Sequence, residues 1–234
     1  MYESTDPTRI PRVLERLQRA WEGQPDLTLS ALMGVLATRG AGWGASDAEL
    51  VEALTEMERE HPSLIDAHPS SNLSISTASP PRLVTLANDV IVVRDAAEPA
   101  AMPSVWTFAS LRRTGPGRPL VVRDTEEIEH RLGVVRLVSS FDPADAPPLT
   151  GLRRDALGEA RWLVLFEDGN RAVVGPRLRV WEQHRRDVEA RVIAWDRIVR
   201  CAAAENMEIA PAGGGKPVVL GRVKRSVLLG PVSW

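Results

Sequence analysis

Helical spacing is confined to the first quarter of this 234-residue chain, and beyond Pro62 the texture changes to turns and strands. Elements segregated in this way make an α+β protein rather than one with alternating helices and strands. Ile10, Val13, Leu14, Leu17, Ala20 and Trp21 recur at helical spacing, which predicts a helix from Thr8 to Glu22 with one apolar stripe. Pro11 sits in its first turn, and Gly23 and Pro25 end it. Leu29, Leu32, Met33, Leu36 and Ala37 predict the buried face of a second helix over Thr28 to Thr38. The three glycines of Arg39 to Ala45 form a turn, with Trp43 expected to tuck under the helices. A third helix opens on an S-x-x-E capping box, Ser46 and Glu49, continues through Leu50, Val51, Leu54 and Met57, and stops at His61-Pro62.

Ser63 to Pro81, rich in Ser, Pro, Asn and His, reads as a long loop or a wing. Leu83 to Arg94 reads as a hairpin turning at Asn88-Asp89. Three helices followed by a two-stranded ribbon is the order of a winged helix. Residues 1–98 are therefore expected to form a winged-helix-like domain, with a boundary in the Pro- and Ala-rich stretch Asp95 to Ser104. Residues 99–234 are expected to form a β-rich domain, an antiparallel sheet or small barrel with minor helices. Its strands are Val105 to Leu111, Leu120 to Arg123, Val134 to Ser140, Leu178 to Trp181, Arg191 to Trp195, Met207 to Ala210 and Val218 to Leu229. A hairpin joins Arg161–Phe166 to Ala172–Val174 across an Asp-Gly turn, and Thr125 to Leu132 reads as a short helix capped by Thr125.

Charge divides the chain. Residues 1–100 hold 8 Arg against 15 Asp and Glu, a net −7, and residues 101–234 hold 21 Lys and Arg against 16 Asp and Glu, a net +5. An acidic helix trio is a poor instrument for gripping phosphates. Arg outnumbers Lys 27 to 2, a bias that fits a GC-rich genome better than a phosphate-binding role. No run of about 18 apolar residues is present to span a membrane, and the N-terminus lacks the apolar stretch of a secretory signal. A single cysteine, Cys201, has no internal disulfide partner, and a reducing cytoplasm is the expected location.

The motifs that suggest chemistry fail their context tests. Gly213-Gly214-Gly215-Lys216 lacks phosphate-loop spacing and is followed by Pro217, so it reads as a hairpin turn. Gly40-Ala41-Gly42-Trp43-Gly44 lies between helices rather than between a strand and a helix, against a dinucleotide loop. His61, His68, His130 and His184 lack metal-ligand spacing, and Ser74 to Ser76 and Ser139-Ser140 lack a nucleophile elbow. Glu126, Glu127 and Glu129 read as helix N-terminal charge, Glu167-Asp168-Gly169 as a turn, and Cys201 as a small core residue. Trp106, Trp162, Trp181, Trp195 and Trp234 lie among Arg161, Arg177, Arg179, Arg185, Arg186, Arg191 and Arg197. They could stack single-stranded nucleic acid, or fill the core of a β domain, as the alternation of Arg177 to Trp181 suggests.

Two resemblances bear on the reading. Leu14 to Gly40, through Trp21, Pro25, Asp26, Leu29, Leu36, Ala37 and Gly40, resembles YihD-like small bacterial proteins, whose function is unassigned, and it implies no site. Val192 to Val199, VIAWDRIV, resembles the closing strand of WYL-type sensor domains, which often accompany winged helices in bacterial regulators, although the W-Y-L core is absent.

The reading that follows is a cytoplasmic DNA-binding transcriptional regulator with a β-rich sensor or dimerisation domain. The third helix would enter the major groove, yet it presents Asp47, Glu49, Glu52, Glu56, Glu58 and Glu60 against Arg59 alone. Double-stranded DNA would instead meet Arg9, Arg12, Arg16 and Arg19 on the first helix, or the basic β domain. The alternative is a protein-interaction module whose acidic helical part docks a basic partner or a second copy of the chain. An enzyme ranks last, and no catalytic residue, cofactor or metal is assigned.

Overall fold

The structure, a computed structural model, describes residues 6–184 and 187–230. Three helices come first: α1 (Arg9–Gly23), α2 (Leu29–Thr38) and α3 (Asp47–Glu60). Thr28 caps α2 through Ala31 N–H, and the Ser46–Glu49 capping box starts α3 with both reciprocal bonds in place. Ala20, Leu32, Leu36, Ala53, Leu54 and Met57 form their shared core, with Leu17, Trp21 and Leu50 packed against it. α3 runs alongside α1 but does not cover all of its stripe. Ile10 and Leu14 of α1 and Leu29 and Met33 of α2 are exposed, and Trp43 stands fully in solvent rather than under the helices.

The segment after α3 is pinned from both sides. His61 donates from Nδ1 to the Val138 carbonyl at 3.0 Å, and Ser139 Oγ lies 3.2 Å from the same nitrogen. Ile65 and Thr114 exchange backbone hydrogen bonds of 2.7 and 3.1 Å, and Asp26 pairs with Arg136 at 3.3 Å.

Six strands then follow: β1 (Asn72–Ala78), β2 (Arg82–Ala87), β3 (Val90–Asp95), β4 (Ser104–Leu111), β5 (Pro119–Asp124) and β6 (Glu129–Phe141). Each pairs antiparallel with the next, and β6 returns to β1, closing a barrel that has no free edge. Leu73, Ile75, Val84, Leu86, Ile91, Val93, Leu120, Val122, Leu132 and Val135 fill it. The segment read as a loop or wing thus contains a barrel strand, β1. The expected helix at Thr125 to Leu132 is instead the turn into β6. There Asp124 Oδ1 accepts from the N–H groups of Glu126 and Ile128, both at 2.9 Å, and Glu127 has φ 65°. The Asp95 to Ser104 stretch read as a boundary connects β3 to β4, which pair directly, so a cut at residue 98 would divide the barrel. The hairpin expected as a wing is β2–β3, bonded to β1 on one side and β4 on the other.

Seven further strands form an antiparallel sheet: β7 (Trp162–Phe166), β8 (Arg171–Val174), β9 (Leu178–Gln183), β10 (Val188–Ile193), β11 (Trp195–Arg200), β12 (Asn206–Pro211) and β13 (Val218–Leu228). Their order is β10-β9-β8-β7-β13-β12-β11. The Asp-Gly hairpin is β7–β8, and the triple-glycine turn joins β12 to β13. The single strand expected at Arg191 to Trp195 is two strands, β10 and β11, which sit at opposite edges of the sheet.

Alternation explains how barrel and sheet join. On β3, Ile91 and Val93 enter the barrel, while Val90 and Val92 face outward onto Leu163, Val227 and Leu229. On β7, Leu163 and Leu165 face the barrel, and Trp162, Val164 and Phe166 face the sheet's own core. Each of these strands is buried on both faces, which is why each reads as an unbroken apolar run. Together the helices and β-structures make an α+β architecture with a β-rich body. No helix among the described residues is long and apolar enough to cross a membrane.

Candidate functional site

Two surfaces stand out, one on the helices and one between barrel and sheet. The four arginines expected to meet DNA lie on α1; Arg9, Arg16 and Arg19 have partners on it or on α3, and Arg12 is engaged as well. Arg9 pairs with Asp47, Arg16 donates to Glu58 at 3.0 Å, and Arg19 donates to Glu15 at 2.6 Å and lies 3.9 Å from Glu58. Arg12 lines the groove between the two helices beside Arg9, Val13, Asp47 and Val51, a space of about 460 Å³. Arg9 reaches the start of α3 and Arg16 its end, so the two helices run side by side in the same direction. The acidity of α3 and the basicity of α1 therefore largely answer one another. Elsewhere on α3, Arg59 holds the Glu56 carboxyl below its ordinary range, and the Ser46 backbone N–H and hydroxyl do the same for Glu49. Arg39 grips Glu60 with bonds of 3.1 and 2.6 Å.

What these pairs leave uncommitted is apolar. Ile10 and Leu14 lie one turn apart on α1, Leu29 and Met33 one turn apart on α2, and Trp43 projects from the turn between α2 and α3. Ile10 and Leu14 continue the helical row of Leu17 and Trp21, which pack half-buried against the core.

The tryptophans of the basic half divide by strand face. Trp195 is fully buried in the sheet core and donates from Nε1 to the Gly175 carbonyl at 2.9 Å. Trp162 packs against that core and Trp106 against the barrel's. Trp181, on the opposite face of β9 from Val180, donates to the Ala100 carbonyl at 2.9 Å. Arg185, Arg186 and Trp234 lie outside the described residues. Cys201 is buried in the sheet core, and burial pushes its thiol up to about 11. Among the described residues no group of three His, Cys, Asp or Glu could hold a metal ion. His130 meets Asp124 at 2.7 Å and tilts against Trp106 with ring centroids 5.1 Å apart, and its role there is to brace the β5–β6 turn.

The second surface is a cleft of about 570 Å³ between barrel and sheet. Its barrel wall carries Arg94, and its sheet wall carries Arg161, Arg177 and Arg179. The β3–β4 connection closes one end. Arg171 donates to its Pro103 carbonyl, Arg179 to Pro99 and Trp181 to Ala100. Arg94 is the residue that sequence reasoning passed over. It follows Val90 and Val92 on the outward row of β3, where the apolar seam ends, and Nε and Nη2 are buried without a hydrogen-bond partner. Burial and the neighbouring Arg161 lower its pKa to about 10. The signal in the sequence was a cation closing the apolar run of β3, VIVVR. Its meaning depends on the sheet that covers that row. No family model, curated protein or solved structure matches this chain.

Proposed function

We propose that the protein is an interaction module whose helical part docks another protein through an apolar-centred surface. The observation that carries this reading is the disposition of side chains on α1. Arg9, Arg16 and Arg19 are engaged with carboxylates, while Ile10 and Leu14 of α1 are open to solvent, as are Leu29 and Met33 of α2 and Trp43. A phosphate-binding face needs Lys or Arg free to replace counterions. A protein-binding face needs exposed apolar and aromatic side chains with a polar rim, and Trp is the strongest of these anchors. The charged pairs on α1 and α3 supply polar groups for such a rim.

The rival is the DNA-binding regulator with a winged-helix head. Its wing would be β2–β3, whose strands are both bonded into the barrel. One set of measurements separates the two. Full-length chain is titrated against a random-sequence fluorescent duplex at low and moderate salt, and its self-association is followed by sedimentation. The chain is also cross-linked to partners in a native extract. Under the interaction reading, duplex binding is absent. Either the self-association or one discrete cross-linked species then disappears in both Leu14→Glu and Trp43→Ala. Salt-sensitive duplex binding that is lost on changing Arg12 and Arg16 to Gln would replace this reading with the regulator.

A further inference from the structure

We propose that the cleft between barrel and sheet is a binding site for a small anionic ligand, whose carboxylate or phosphate group is seated between Arg94 and Arg161. The proposal stands apart from the docking function of the helices and uses none of their residues.

Three observations converge on it. The first is the state of Arg94. A buried guanidinium presents up to five donors and normally finds carboxylates or carbonyls for them. Nε and Nη2 of Arg94 have none, and among the described residues Arg94 forms no ion pair. An unpaired buried cation is costly, so a fold that retains one invites an anion to complete it. The second is like charge. Arg161 stands close enough to Arg94 to repel it, and Arg177 and Arg179 add to the same cleft. Asp95 and Glu159 also line the cleft, but Asp95 is occupied in accepting from the N–H groups of Ala97 and Glu98 at 2.8 and 3.1 Å. Four arginines against two carboxylates leave a positive field in a concave space, where field lines are focused.

The third is shape and supply of donors. Arg161 is aimed by bonds from Nη1 to the Gly158 and Ala160 carbonyls at 3.2 and 2.7 Å, and Gly175 lets its stem lie close, since a Cβ there would come within 3.2 Å of Arg161 Cδ. Arg179 is held over the Trp181 ring, 5.9 Å from its centroid. The walls between the arginines are apolar: Leu83, Val173, Pro176 and Val192. A volume of about 570 Å³ falls in the range of small-molecule sites. The ligand class that fits is an organic anion with a compact apolar body. The planar forks of the two arginines suit a carboxylate or a phosphate alike.

Calorimetric titration of the full chain tests this with inorganic phosphate, phenyl phosphate and benzoate as probes and benzyl alcohol as the uncharged control. Phenyl phosphate or benzoate is expected to bind, more tightly than inorganic phosphate, with affinity that falls as salt rises; benzyl alcohol is not. Binding of only one of the two identifies the head group. Arg94→Met and Arg161→Gln should each weaken binding by about tenfold or more. Arg94→Met should also raise the thermal midpoint of the ligand-free chain, because it removes a desolvated charge. Arg177→Gln, at an exposed position where substitutions usually change stability little, should weaken binding as well. Failure of every anionic probe to bind at millimolar concentration, or wild-type affinity in both Arg94→Met and Arg177→Gln, overturns the proposal.

Discussion

Thr85 donates from Oγ1 to the carbonyl of Leu229 at 2.7 Å, a buried bond between residues 144 apart in sequence. Thr85 lies on the outward row of β2, and Leu229 directly follows β13. The bond therefore ties the barrel to the last strand of the sheet at the margin of the apolar seam. Thr85→Val keeps the shape and removes the donor, leaving a buried carbonyl unsatisfied. It should cost about 1–2 kcal/mol in denaturant unfolding. Thr107→Val, at an exposed position on β4, is the control and should change stability by no more than about 0.5 kcal/mol. Equal effects at the two sites would mean that the Thr85 bond contributes nothing to docking.

The Ser46–Glu49 capping box makes a prediction with a sign. The Ser46 side chain accepts from Glu49 N–H at 3.3 Å, and Ser46→Ala should cost about 1 kcal/mol. The Glu49 carboxylate accepts from the Ser46 backbone N–H and hydroxyl, both at 2.8 Å, and its folded pKa lies below the ordinary value. A depressed carboxylate stabilises the fold above its unfolded pKa and loses that contribution as pH falls through the folded one. The stability difference between wild type and Glu49→Gln should thus be constant near neutrality and shrink on acidification below the ordinary carboxylate range. A difference that grew on acidification would contradict the assignment.

The elements legible in the sequence are those whose signals are local. The capping box and apolar spacing located all three helices, and turn chemistry located the hairpins β2–β3, β7–β8 and β12–β13. What depended on distant partners was not legible. β1 was hidden because Ser74, Ser76 and Thr77 look like loop residues. In the barrel Thr77 is buried and satisfied, donating to Leu132 and Pro80 carbonyls at 2.9 and 3.0 Å. The α1 arginines were expected on an outer face, but Arg9 and Arg16 turn half-buried toward Asp47 and Glu58, an engagement that required α3 to lie alongside. Arg94 ended a hairpin strand, and nothing local showed that a second sheet would bury it.

Cys201 is a test of the sheet core. Its thiol is buried among Leu149, Leu152 and Ile198, and burial pushes its pKa up to about 11, so at neutral pH it is a protonated thiol out of reach. The thiolate is the reacting species. Ellman's reagent should therefore react negligibly with the folded chain at neutral pH and release one equivalent once denaturant unfolds the sheet. Prompt reaction in the folded state would show that this core opens, or that the thiol is activated.

Two glycines hold the helices to the barrel by close approach. A Cβ on Gly23, at the end of α1, would stand 2.0 Å from the His61 carbonyl oxygen, and one on Gly115, in the β4–β5 turn, 2.0 Å from the Ser63 carbonyl oxygen. Both obstacles are backbone, so no side-chain rotation relieves them. They flank the short segment, His61 to Ile65, through which α3 is bonded to β6 and to Thr114. Gly23→Ala and Gly115→Ala should each cost at least about 3 kcal/mol, because the segment must move and surrender those bonds. Gly34 supplies the contrast. It lies within α2 with nothing within 4 Å of the Cβ position, so Gly34→Ala should stabilise the chain by about 0.5–1 kcal/mol through helix propensity. Thermal and denaturant unfolding of the three variants gives the comparison. If all three were equally tolerated, the backbone contact between helices and barrel would not be a feature of the fold in solution.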